Sequence, residues 1–266
     1  MTNILQISDT HITSNGTFVS ERLDTDERLK SLVERLLKIR SEIGVVDAVI
    51  ISGDLSDDGS AESYQRFKKI MSALNLPLYV IPGNHDGREA MREAFYSDGY
   101  FPKDGKLNWH QPMGEIHLIG LDTLIDSSEG GKLDAATLTF LDDTLNKIDA
   151  APVLLALHHQ PFTTGIRFMD DIGIQSGCDD LGKVLANYGG EVRVICGHIH
   201  SIMVASIGGQ TALSAPSPCS SFAFNVQETA PAGFMDAGDG CFLHRWDSGF
   251  QSIRLGAILG DGPFPF

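Results

Sequence analysis

Five short polar clusters interrupt apolar runs along this chain: "DTH" at Asp9 to His11, "GD" ending on Asp54, "GNHD" with Asn84, His85 and Asp86, "HH" at His158 and His159, and "GHIH" with His198 and His200. Imidazoles, carboxylates and one amide form the donor set that borderline divalent metals such as Zn, Mn or Fe accept. Eight residues, Asp9, His11, Asp54, Asn84, His85, His158, His198 and His200, are enough for two ions. Each has an ordinary reading when taken alone. Asp9, Asp54 and Asn84 suit turns, and His158 and His159 suit a core and a surface position. The joint pattern argues otherwise, because five separate strand ends all carry ligand-type residues, and functional groups concentrate on loops held by a rigid scaffold.

The elements that must position these clusters follow from apolar periodicity. Strands are expected from Asn3 towards Asp9, over 47–52, over 78–82, over 152–157 and over 192–196. Between them, helices are expected after Asp24, with Leu29, Leu32, Val33, Leu36 and Leu37 on one face, and from about Ser60, with Tyr64, Phe67, Ile70, Met71 and Leu74 on one side. A short helix near 88–96, a hairpin over 107–121, and helices over 134–148 and 179–188 complete the pattern. The β-α-β-α-β order of the first part predicts parallel strands in an α/β fold. In an open α/β sheet, residues just past the carboxyl ends of the strands converge on one crevice, which is how clusters far apart in sequence become one site. From Pro216 onward the chain turns rich in proline and glycine, with short β pieces at 221–226, 241–246 and 250–254, and reads as a β-rich extension, 216–266, of a single domain spanning 1–266.

Composition narrows the function classes. The 35 acidic against 20 basic residues leave a net charge of −15, which disfavours a surface gripping nucleic acid through many phosphates. No apolar run approaches the ~20 residues of a membrane span. Cys178, Cys196, Cys219 and Cys241 form no CxxC pair and read as reduced thiols. The apolar run at the N-terminus is broken early by "SDTH", unlike a secretory signal, so a cytoplasmic location is expected.

The ordered set "DTH", "GD", "GNHD", "HH" and "GHIH" resembles the signature of the metallophosphoesterase superfamily, the calcineurin-like phosphoesterases, over Asp9 to His200. The resemblance implies two packed mixed β-sheets flanked by helices, where periodicity alone gives only a helix-flanked sheet. It implies that Asp9, His11 and His200 hold one metal, that Asn84, His158 and His198 hold a second, and that Asp54 bridges them, the pair being Fe, Mn, Zn or Co. A metal-bound hydroxide then attacks phosphorus in line. His85 faces the substrate phosphate as a stabilising or proton-donating residue, and Asp86 orients it, or else caps the helix after Gly87. The chain reads "HHQP" where many relatives read "HHPP"; His110, His117 and His244 read as structural or surface residues.

Within the superfamily, "DAVIISGDLSDDGSAESY", "GGKLDAATLTFLDDTL", "FMDDIGIQ" and "APSPCSSF" resemble bacterial class III cyclic nucleotide phosphodiesterases and the related glycerophosphodiesterases. The implied activity is hydrolysis of small phosphodiesters, 3',5'-cyclic nucleotides such as cAMP first, with glycerophosphodiesters or broad specificity as the alternative. Met169 and Asp170 are expected near the substrate or a subunit contact. A catalytically silent metal-binding scaffold would show gaps among the ligands, and none is missing. The apolar ending "PFPF" and the β-rich tail suggest a homodimer or larger homo-oligomer.

Overall fold

The computed structural model describes residues 1–256, so the "PFPF" ending lies outside the described residues. The chain opens with β1 (Thr2–Ile7), α1 (Thr25–Lys38), the single turn α2 (Arg40–Ile43), β2 (Ala48–Ile51), α3 (Ala61–Met71), β3 (Leu78–Val80) and α4 (Arg88–Ala94). Asp24 and Ser60 cap α1 and α3 by accepting the backbone N–H of Glu27 and Ser63, satisfying donors that a helix start leaves unpaired. β1, β2 and β3 pair in parallel, as the alternation of strand and helix predicts.

The second half supplies β4 (Trp109–Met113), β5 (Ile116–Gly120), β6 (Gly131–Lys132), α5 (Ala135–Lys147), β7 (Val153–Ala156), α6 (Arg167–Asp171), β8 (Ile174–Ser176), α7 (Cys178–Asn187), β9 (Val192–Cys196), β10 (Met203–Ile207) and β11 (Gln210–Ser214). β12 (Ser221–Phe222), β13 (Phe234–Met235), β14 (Cys241–Trp246) and β15 (Phe250–Leu255) follow. One sheet has the order β15-β14-β1-β2-β3 and the other β10-β11-β9-β7-β5-β4, both mixed; β12 pairs with β13, and β6 with β8.

Strand alternation sorts the core into layers. On β1 and β2, Leu5, Ile7, Val49 and Ile51 face α1 and α3, where Leu29, Leu32, Val33, Leu36, Tyr64 and Phe67 are buried. Ile4, Ala48 and Ile50 point the other way, against Trp109, Leu118, Leu154 and Ile195 of the second sheet. The second sheet turns Val153, Leu155, Val192 and Val194 towards Leu141, Leu145, Leu181 and Leu185 of α5 and α7. Two sheets are thus packed face to face and covered by helices on their outer faces. Burial of each large apolar side chain contributes ~1.5–3 kcal/mol. Leu37, expected on the buried face of α1, is instead exposed.

The tail is built into the first sheet: β14 pairs antiparallel with β1, from Thr2 opposite Trp246 to Gln6 opposite Phe242, and β15 adds the edge. The β piece expected over 221–226 shortens to two residues, Ser221–Phe222. A buried polar chain crosses between the sheets. Ser252, which accepts from Arg193, donates to His244 Nδ1 (2.9 Å); His244 Nε2 donates to Gln6 Oε1 (2.9 Å); and Gln6 Nε2 donates to Ser52 Oγ (2.8 Å) and the Cys196 carbonyl (3.0 Å). All four cysteines are free. No helix among the described residues is long and apolar enough to cross a membrane.

Candidate metal centre

The carboxyl ends of β1, β2, β7 and β9, and the turn after β3, meet at one edge of the sandwich. Just past β1 and β2 the two loops are zipped together: the backbone N–H groups of Asp9 and His11 donate to the carbonyls of Gly53 and Asp54 at 3.1 and 3.0 Å. Asp9, His11, Asp54, His198 and His200 all have positive φ, between 44° and 69°. Five of the seven expected ligands therefore sit in the left-handed region, which costs L-residues ~1–2 kcal/mol each and persists at sites where the geometry is needed. Glycines admit the close approach. A Cβ on Gly83 would collide with Asp54, and one on Gly197 with Ser8 and Asp9.

The side chains converge. Asp54 Oδ2 lies 3.7 Å from His11 Nε2 and 3.3 Å from His158 Nε2, while its Oδ1 accepts the His85 backbone N–H at 2.9 Å. His200 Nε2 is 3.4 Å from Asp9 Oδ1 and 3.2 Å from His11 Nε2; Asn84 Oδ1 is 3.1 Å from His158 Nε2. Donor atoms of Asp9, His11 and His200 lie within 4.8 Å of one another, as do those of Asp9, Asp54 and His158 and those of His158, His159 and His198. Asp54 thus stands between the two halves of the expected set.

The tautomers suit cations. His158 donates from Nδ1 to the Ser52 carbonyl (2.8 Å) and His11 from Nδ1 to Asp57 (3.1 Å), so in the neutral ring each turns an Nε2 lone pair inward. His200 Nδ1 lies 3.0 Å from Ser220 Oγ. Asp9 Oδ2 is buried without any hydrogen-bond partner, an expensive state for a carboxylate oxygen unless a cation faces it. The residues present therefore fit a metal pair.

Electrostatics point the same way. Burial opposes charge on His158 and His11, but Asp54 outweighs it at His158, and Asp57 with Asp54 at His11, lifting them to about 9 and about 8. Asp54 is held well below the usual carboxylate range, His158 overcoming the effect of burial. Burial drives His198 well below its usual value and His200 down to about 4. The carboxylates demand positive charge, and protons and metal ions compete for the nitrogens that supply it.

Several residues take places the sequence did not indicate. Asp86 does not touch the His85 ring and does not cap α4: its oxygens accept from Gly83 N (2.9 Å), Ser56 N (3.1 Å), Leu55 N (3.3 Å) and the Tyr64 hydroxyl (3.0 Å). It clamps the "GNHD" turn onto the "GD" loop, and burial with the Asp54 charge raises it to about 6. The His85 ring instead donates from Nδ1 to the carbonyl of Asp57 (3.1 Å) and packs edge-on to His11. Asp57, three residues past Asp54 in the acidic stretch "SDDG", thus supports two histidines. Asp170 points away from the site, accepting from Thr164 and Gly165, whereas Met169 lines the cavity. His159 is buried, accepts from Thr123 Oγ1 and donates to the Glu129 carbonyl; burial lowers it to about 3.

A cavity of about 480 Å³ opens over this centre, lined by His11, Asp54, Asn84, His85, His198 and His200. Residues 2–201 match the family model "Calcineurin-like phosphoesterase". The chain belongs to this family. Its members are metal-dependent phosphoester hydrolases that use divalent metals. Among curated proteins, the chain is 32% identical over 265 residues to a probable glycerophosphodiester phosphodiesterase, GpdQ, of Arcobacter nitrofigilis, covering 99% of this chain and 96% of that protein. It is 30% identical over 233 residues to the 3',5'-cyclic adenosine monophosphate phosphodiesterase CpdA of Pseudomonas aeruginosa, covering 86% and 82%. The fold is shared with the crystal structure of a dimetal phosphatase from Danio rerio: TM-score 0.66, 13% identity, 97% and 96% covered.

Proposed function

We propose that this calcineurin-like phosphoesterase is a dinuclear phosphodiesterase acting on 3',5'-cyclic nucleotides. Asp9, His11 and His200 would hold one cation, Asn84, His158 and His198 the other, and Asp54 would serve both. The observation that carries this reading is the position of the Asp54 carboxylate, 3.7 and 3.3 Å from imidazole nitrogens of the two halves. Two bound ions supply Lewis acidity to the phosphoryl oxygens and lower the pKa of water. The chain's own part is to orient the ligands through Ser52, Asp57 and Ser220, and to aim His85 at the phosphate. With Nδ1–H committed to the Asp57 carbonyl, Nε2 of His85 is free to donate to a phosphate or leaving-group oxygen when the ring is protonated.

Among the described residues lining the cavity there is no Lys or Arg, which suits a monoanionic diester better than a dianionic monoester. A glycerophosphodiester is the second reading, favoured by the full-length similarity to the Arcobacter nitrofigilis protein. Phe224, Val226 and Met235, exposed around β12 and β13, support the homo-oligomer expected from the tail; a monomer by light scattering at micromolar concentration contradicts it. The substrate is tested by assaying Mn-loaded protein on cyclic AMP, cyclic GMP, glycerophosphoethanolamine and bis(p-nitrophenyl) phosphate. A kcat/KM for cyclic nucleotides above that for the glycerol diester is expected, and the reverse order moves the assignment to the second reading.

A further inference from the structure

We infer, building on the phosphodiesterase reading, that Phe168, Phe222 and Phe234 form a specificity face that receives the alcohol group of the diester and favours a flat aromatic group, such as a nucleobase, over glycerol. The cavity has two unlike walls. Besides the metal-centre residues and Glu129, the lining from α6, β12 and β13 presents Phe168, Met169, Ile172, Phe222 and Phe234, none of them charged. The Phe168 and Phe222 rings are nearly parallel, 10° apart with centroids separated by 6.0 Å, so a planar group lying against one lies parallel to the other. Phe234 stands opposite Phe222 in the β12–β13 pair and extends the face. Phe168 and Phe234 are each 38% exposed, an apolar surface left open at the mouth of a polar site.

The face is held in fixed relation to the ligands. His198 donates from Nε2 to the Ile172 carbonyl at the end of α6 (3.2 Å), and Gln160, directly after the "HH" pair, donates to the Met169 carbonyl (2.7 Å). Arg28 of α1 reaches both the Cys219 carbonyl and Asp236, tying down the segments on either side of the β12–β13 pair. The "HHQP" departure thus has a purpose: a glutamine amide can tether α6, which a proline at that position cannot. Phenyl rings offer π-faces and no hydrogen bonds, so the face distinguishes flat from non-planar groups but not one base from another.

The test uses Mn-loaded full-length protein with Phe168→Ala, Phe222→Leu and Phe234→Ala; leucine keeps the apolar volume of Phe222 and removes its flat face. Binding of AMP and of glycerol 3-phosphate is measured by calorimetry, beside kcat/KM for cyclic AMP, cyclic GMP and glycerophosphoethanolamine. Stacking of one base on an aromatic ring corresponds to about 5- to 150-fold in affinity. We expect Phe222→Leu to weaken AMP at least about fivefold more than glycerol 3-phosphate, to lower the cyclic AMP to glycerol-diester ratio by the same factor through KM, and to keep cyclic AMP and cyclic GMP within about threefold of each other. Equal losses for both ligands in all three variants, or no loss, overturn the proposal. If the wild type turns over no diester yet binds AMP in a Phe222-dependent way, the phosphodiesterase reading fails and the face stands. If it turns over diesters with a ratio unchanged in Phe222→Leu, the face fails and that reading stands.

Discussion

Replacing Asp57 with Ala separates the two supports this residue provides. Its carboxylate accepts from His11 Nδ1 at 3.1 Å, and its backbone carbonyl, which the substitution keeps, accepts from His85 at 3.1 Å. Loss of a carboxylate partner from a metal-binding histidine typically lowers metal affinity about 10- to 100-fold, or about 1.4–2.7 kcal/mol. The Asp57 side chain is 28% exposed, and water replaces part of the lost hydrogen bond, so the lower end, about tenfold, is expected. His158 rests instead on the Ser52 carbonyl, and its half of the centre is left alone. Calorimetric titration of Mn into chelator-stripped Asp57→Ala should show one site weakened about tenfold and the other within about twofold of wild type. Hydrolysis should recover most of its rate at saturating Mn. Equal weakening of both sites, or wild-type affinity at both, refutes the assignment of Asp57 as the residue that orients His11.

His85→Ala should keep full metal content and lose on the order of 10²–10⁴ in kcat, with a smaller loss on p-nitrophenyl esters if its main task is to protonate the leaving group. Rescue of that variant by added metal would show His85 to be a ligand instead. Stability should fall in acid through His244. Burial, aided by Arg193, holds this imidazole neutral down to about 3, whereas the unfolded chain takes the proton near 6.5. The contribution is therefore complete above about pH 6.5 and lost below it, at ~1.4 kcal/mol per pH unit until about 3. Urea denaturation of wild type and His244→Gln at pH 7 and pH 5 should show the wild type losing more stability on acidification; parallel losses contradict this.

The meeting of the five clusters was legible because each follows an apolar run, and a parallel sheet gathers the ends of such runs at one edge. The helix starts near Asp24, Ser60 and Asp134 were legible from the apolar periodicity that follows them, and each of these residues caps its helix by accepting a backbone N–H. The division of the strands into two packed sheets was legible from the family resemblance and not from periodicity. In the first sheet, the pairing of Thr2 with Trp246 follows from no local pattern. The β10–β11 hairpin did carry a signal, the "GG" between two strand-like runs. No sequence pattern singles out Asp57 among the acids of "SDDG". Asp86 was misplaced because its neighbour in sequence, His85, is not its neighbour in space: the turn swings the carboxylate back onto the N–H groups of the "GD" loop. Left-handed φ at Asp9, His11, Asp54, His198 and His200 has no sequence mark beyond the tolerance of Asp and His for that region.

The most direct test strips the protein with chelator and titrates Mn back, measuring ions bound per chain and hydrolysis of bis(p-nitrophenyl) phosphate on the same samples, with Asp54→Ala in parallel. With Asp54 shared between the two halves, stripped protein should be inactive, activity should rise as the second ion binds, and Asp54→Ala should lose both ions and turnover together. Undiminished hydrolysis in metal-free protein, or an Asp54→Ala variant that binds two ions and turns over normally, would contradict the shared centre.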